Sequence, residues 1–285
     1  MGFAQVDFYI VDKQTSYVQT SAAAPSLATN PYSFTFEISG KQPGSGISGI
    51  VNHSFTTPAG SGVGGYTLVS GDYDSGEDRW KYSQSFATKS GAGSLDEAFL
   101  NGTYVLNVGD ATNIPFVLDA TPSGDLYPIT PQVTGMNNGA TWSGGQLLIK
   151  DTGTTTLNLS DFTSLYSSTA SGQVGGHIGA FLYLTSSGSF TSINQEALTF
   201  DSDPAFNTFL ISGLTAGSTY QLELEFNSIM TADTTSISGA TGVAIFTTRL
   251  QVNVLAVPEP ATYAEIFGVL ALAGAMIHRR RRQTA

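Results

Sequence analysis

Apolar and polar residues alternate with a period of two along most of this 285-residue chain, the pattern of strands with one buried and one wet face. Val6, Phe8 and Ile10 alternate with Gln5, Asp7 and Tyr9. Tyr32, Phe34, Phe36 and Ile38 alternate with Ser33, Thr35, Glu37 and Ser39, and the run stops at Gly40. The clearest case sets Tyr220, Leu222, Leu224 and Phe226 against Gln221, Glu223, Glu225 and Asn227; Leu250, Val252 and Val254 form a last run. These stretches predict an all-β fold of antiparallel sandwiches. Only Leu95–Leu100 looks helical, and it is too short for more than a turn. Asn137-Asn138-Gly139 and Ser143-Gly144-Gly145 mark hairpin or loop turns around Trp142, which reads as core.

An internal echo divides the body. Leu100-Asn-Gly-Thr-Tyr104-Val-Leu-Asn-Val108 recurs as Leu214-Thr-Ala-Gly-Ser-Thr-Tyr220-Gln-Leu-Glu-Leu224, each with a Thr-Tyr opening an alternating strand. A tyrosine so placed resembles the tyrosine corner of immunoglobulin-like and fibronectin type III sandwiches, whose hydroxyl bonds nearby backbone. The resemblance implies two tandem sandwiches, residues 1–122 and 123–256, with a boundary near Thr121-Pro-Ser-Gly-Asp125. One larger jelly-roll-like sandwich is the alternative.

Residues 257–285 break the alternation. Pro258-Glu259-Pro260 is followed by an apolar run, Ala261–Ile277, then His278 and four arginines, Arg279, Arg280, Arg281 and Arg282. Seventeen residues of helix span roughly 25 Å, the lower limit for crossing a bilayer. The prolines set its start, Tyr263 suits the interfacial layer, and Glu265 is the one discordant carboxylate, a single turn inside. Clustered arginines stay cytoplasmic, so the body is expected on the far side of the membrane. Export would then need an N-terminal signal, and Met1-Gly-Phe-Ala-Gln-Val has neither a charged n-region nor an apolar run. The expectation is a start codon placed late, with Gly2-Phe3-Ala4 closing a cleavage site and the mature chain starting near Gln5.

The three tail elements, in this order, resemble the PEP-CTERM sorting signal of Gram-negative bacteria. The resemblance covers about a tenth of the chain. It implies an exosortase as partner, recognition through Pro258, Glu259 and Pro260, processing near that motif, and a host that makes exopolysaccharide.

Composition narrows the chemistry. The chain has no cysteine, which excludes disulfides, thiol nucleophiles and Cys-ligated metals. Ahead of the tail stand 20 acidic and 7 basic residues, a surface that repels nucleic acid. Asp72, Asp74, Glu77 and Asp78 gather carboxylates as a hard cation such as Ca²⁺ requires, although Gly76 is one position out of step with an EF-hand loop. The bland reading is a solvated acidic loop, and Asp201 and Asp203 read as a polar turn. Trp80 and Tyr82, just beyond, are candidate sugar-gripping rings, or core if their strand face is buried. His53, in an apparent strand, and His177, in an apparent Gly-rich turn, read as structural, and no Gly-x-Ser-x-Gly elbow is present. No pattern selects the carboxyl pair a glycosidase needs. The sequence therefore points to a non-catalytic, exported surface or matrix protein associated with exopolysaccharide or other matrix proteins. A carbohydrate-binding module is the second reading, and a β-sandwich polysaccharide hydrolase or lyase the third.

Overall fold

The computed structural model describes residues 6–40, 47–49, 52–118, 125–160, 175–185, 207–259 and the main chain of 189–199. Its dominant feature is one ten-stranded sheet. Its path runs β14 (Ser189–Thr199), β13 (Gly175–Leu184), β16 (Thr219–Asp233), β17 (Thr241–Val257), β1 (Val6–Val18), β2 (Ser26–Gly40), β6 (Arg79–Phe86), β5 (Tyr73–Asp74). A hairpin of β10 (Thr141–Ser143) and β11 (Gln146–Lys150) joins the far end of β17, with Gly144 and Gly145, both at positive φ, making its two-residue turn.

Two smaller sheets pair with it. One orders β4 (Tyr66–Thr67), β3 (Ser54–Thr56), β7 (Gly102–Val108) and β8 (Ala111–Leu118); the other orders β15 (Thr208–Ser212), β12 (Thr154–Leu159) and β9 (Val133–Met136). The order β4-β3-β7-β8 has its counterpart in β14-β13-β16-β17, and β1-β2-β6 in β9-β12-β15. The echoed tyrosines occupy equivalent strands, β7 and β16. Each closes a corner: the Tyr104 hydroxyl donates to the Leu100 carbonyl at 2.7 Å, and the Tyr220 hydroxyl accepts from the Thr215 N–H at 2.9 Å.

Alternation explains how one sheet serves two cores. Even-numbered residues of β17 share a face; Ala244 and Phe246 enter the first core, and Leu250, Val252, Val254 and Ala256 the second. Between them Thr248 is buried and donates to the Pro128 carbonyl at 2.9 Å. β1 runs parallel to β17 from Phe8↔Thr241 to Val18↔Gln251. At its end Gln19 exchanges two hydrogen bonds with the main chain of Val133, at 2.9 and 3.0 Å.

The expected halves therefore interpenetrate. Met230, Ala240, Ala244 and Phe246, all beyond residue 123, complete the first core, because the β16–β17 hairpin is longer than the second core needs. The expected boundary at 122 lies outside the described residues. So does the expected tail from Pro260 onward; among the described residues no helix is long and apolar enough to cross a membrane.

One strand face differs from expectation. A register shift between Val6 and Phe8 changes the parity of β1. Val6, Tyr9 and Val11 are core, whereas Phe8 and Ile10 turn to the opposite face and pack with Ile229, Val243 and Ile245. The helical turn is present as α1 (Leu95–Ala98), capped by Ser94.

Candidate functional site

The face of the large sheet opposite the two cores carries a concave groove of about 350 Å³. It crosses β16, β17, β1, β2 and β6, and its walls are mostly hydroxyl, amide and charged side chains. Its cations are already neutralised. The Arg249 guanidinium holds Glu225 at 2.6 Å, and Lys81 faces Glu37 at 3.7 Å, a carboxylate it shares with Arg79 outside the groove.

Asp12 forms the floor and differs from these. It is 8% exposed, and among the described residues its carboxyl has one hydrogen-bond partner, the Thr247 hydroxyl at 2.7 Å. Burial, assisted by the nearby Glu225 and opposed by Thr247, Arg249 and Lys81, pushes its pKa up to about 7.

The hydrogen bonds around Thr247 accommodate either protonation state of Asp12. Its hydroxyl has one proton, yet it lies 2.7 Å from both Asp12 Oδ1 and Asn227 Oδ1. The Asn227 amide in turn lies 3.0 Å from His177 Nδ1. A proton on Asp12 satisfies the chain, with Asp12 donating to Thr247, Thr247 to Asn227, and Asn227 to His177. With Asp12 ionised, turning over the Asn227 amide reverses every bond, and His177 then donates from Nδ1. His177 lies in strand β13, not in the turn expected from its neighbouring glycines, because the glycines pair in register with β16.

The sequence-predicted acidic loop is not a ligand cage. Asp72 accepts from the Val69 N–H at 2.8 Å and the Tyr66 hydroxyl at 3.1 Å; Asp74 accepts from the N–H groups of Gly76 and Glu77. Glu77 pairs with Arg79 at 2.6 Å, and buried Asp78 accepts from the Tyr73 hydroxyl at 2.6 Å. The four carboxylates are spent on local structure, and the described residues contain no group of three or more carboxylate and imidazole side chains fit for a metal. The Ca²⁺ expectation therefore has no site among them.

Trp80 is also core, not a sugar platform. It is 6% exposed, and its indole N–H donates to the Ile47 carbonyl at 3.0 Å. His53, 1% exposed, packs edge-on to Trp80; burial lowers its pKa to about 4, and its Nδ1 accepts from the Gly109 N–H. Tyr82 is different. Half-buried against Phe55, it lies 4.6 Å from the Tyr66 ring and lines a second, shallower depression of about 470 Å³. Asp72, Tyr73 and Asp74 border it, so Tyr82 and two of the predicted acids do share a surface.

Pro258 and Glu259 follow directly on β17, and Glu259 faces Lys150 at 3.8 Å. Pro260 and Arg279–Arg282 lie outside the described residues, as do Asp201 and Asp203. Asp12, Thr247 and Arg249 escaped the sequence reading. Their one signal is polar residues on the second face of strands whose first face is apolar, which solvent exposure alone would also produce.

No protein-family model matches the chain, and no curated protein does. Among solved structures, a cytokine receptor complex matches over 80% of this chain and 94% of its own, at 10% identity and a TM-score of 0.21. The FN1–FN3 domains of chicken CNTN1 match over 88% and 65%, at 8% identity and a TM-score of 0.20. Both scores fall far below the level of a shared fold.

Proposed function

We propose that this chain is an exported cell-surface or extracellular-matrix protein, sorted by a C-terminal PEP-CTERM signal and associated with exopolysaccharide. It works by display, without catalysis. The body comprises two fibronectin type III-like units, a reading favoured by the repeated strand order and the two tyrosine corners. The tail holds the body on the outer side of the inner membrane, with Arg279–Arg282 in the cytoplasm, until an exosortase processes it near Pro258-Glu259-Pro260.

One observation carries this reading. The longest strand, β17, runs through both cores and ends at Val257, immediately before Pro258. The last described strand thus ends where the motif starts, so processing at the motif would leave every described core residue in place.

Intact mass on protein from a host with an active exosortase tests it. The mature chain should lose the apolar run and the arginines there, and keep them in a host lacking the enzyme. A full-length tail in both hosts overturns the proposal.

A further inference from the structure

The polar groove and the tyrosine depression share two lining residues, Lys81 and Ser83, both on β6. β5 covers β6 only at Arg79 and Trp80. From Lys81 to Phe86, β6 pairs with β2 on one side and, among the described residues, with no strand on the other. The two concavities therefore adjoin around a sheet edge that no described strand covers from Lys81 onward, one on the outer face and one beyond the rim.

We propose that they form one continuous trough that binds a linear, neutral, hydroxyl-rich polymer, a polysaccharide chain, across the β6 edge. The proposal names the site for the polysaccharide association proposed above, and so rests on that reading. Two features select this chemistry. The two cations lining the groove are paired with its carboxylates, Arg249 with Glu225 and Lys81 with Glu37, which leaves neither free to hold an anionic chain. The remaining polar groups, such as Thr35, Ser83 and Gln14, both donate and accept, as sugar hydroxyls do.

Beyond the edge the character changes. Tyr66 and Tyr82 supply ring surface for the C–H face of a sugar, flanked by Asp72 and Asp74. A chain spanning both parts meets hydroxyl partners on one side and aromatic carbon on the other. A short saccharide reaches only one of them.

Calorimetric titration with linear hexasaccharides of glucose, mannose, galactose and N-acetylglucosamine, each beside its disaccharide, tests the trough. At least one hexasaccharide should bind, at least ten-fold more tightly than its disaccharide. Ser83→Trp, at an exposed position shared by both concavities, should weaken that binding at least ten-fold, and Tyr66→Ala several-fold, with the unfolding midpoint of Ser83→Trp unchanged. Absence of any binder in the panel, or wild-type affinity in Ser83→Trp, overturns the proposal. Should the Ser83→Trp protein still co-sediment with the host's own polysaccharide as wild type does, association occurs elsewhere. That result sinks the trough while leaving the proposed function standing.

Discussion

The two cores are built from different materials. The first is aromatic: Phe34 and Phe99 stack 4.0 Å apart, Tyr9 stacks on Phe116 at 5.4 Å, and Phe55 meets Phe36 edge-on. It also buries a lysine completely, with Lys13 held by Asn101 at 2.8 Å, Asp96 at 3.2 Å and Asp125 at 3.9 Å. The second is almost wholly aliphatic, filled by residues such as Leu182, Leu222, Leu224, Leu250 and Val252. Dependence between them is unequal. The second core supplies the long hairpin whose far end, with Met230, Ala244 and Phe246, finishes the first. The first returns only the end of β1, with Tyr17 against the second core. Rigid rings leave gaps that few residues fill, and here a neighbouring hairpin fills them.

Phe246→Ala should have the largest effect on this unequal dependence. The side chain is fully buried, so truncation should cost about 3–5 kcal/mol. Because β17 carries both cores on one face, the loss should be felt in both. Each core has its own tryptophan, Trp80 in the first and Trp142 against the second. Urea melts followed through Trp142→Phe and Trp80→Phe backgrounds should therefore give one shared midpoint, lowered equally by Phe246→Ala. Separate midpoints, with the second unmoved, would show two independent units.

A milder break is Gly242→Ala. A Cβ there would stand 2.3 Å from the Tyr9 ring and 2.6 Å from Phe116, because the hairpin backbone passes directly over that stacked pair. The rings must shift, and overpacking of this kind costs about 1–3 kcal/mol. Gly179→Ala, on β13, offers the contrast: its Cβ would crowd the Phe181 ring, at 2.6 Å, and touch His177 at an ordinary 3.5 Å, both neighbours on the same strand. It should cost less, measured in the same melts.

Asp12 sharpens the difference between the two faces of β1. Its folded pKa, about 7, lies above the ordinary carboxylate value, so the folded state binds the proton more tightly. That stabilisation is fully present below the unfolded pKa and is lost as pH rises through 7. The slope approaches about 1.4 kcal/mol per pH unit inside the window. Asp12→Asn should flatten the stability profile between roughly pH 4 and 7. An unchanged slope would assign the dependence to other groups.

Much of the fold was legible wherever one face of a strand is apolar without interruption. Phe34, Phe36 and Ile38 are buried as their alternation predicts, as are Leu222, Leu224, Leu250 and Val252. Two things were not legible. The shift after Val6 exchanges the faces of β1, and no local residue type announces it. The parallel pairing of β1 with β17 joins residues more than 230 positions apart, and alternation specifies a face but not a partner. The candidate trough was hidden for the same reason, since Asp12, Ser83 and Thr247 meet only through that pairing and its neighbours. Tyr82 was legible as an aromatic beside acids, whereas Trp80, two residues away on the same face, differs only in lying deeper under Ile47.

The smallest expected effect separates the two tyrosine corners, which the sequence presents as equals. Tyr104 donates its proton to the Leu100 carbonyl, and both residues are at least half-buried. Tyr220 instead accepts from the N–H of Thr215, which is exposed. Replacing either by Phe removes one hydrogen bond of ordinary net worth, about 1 kcal/mol. The consequences differ in what is left behind. At Thr215 water can reach the freed N–H and recover most of the loss. Leu100 is half-buried, so its freed carbonyl is less open to water and an unmade bond there costs part of its desolvation as well. Tyr104→Phe should therefore lower the common urea midpoint more than Tyr220→Phe. Equal shifts would mean that the Leu100 carbonyl is hydrated and that the first core is no drier at its corner than the second.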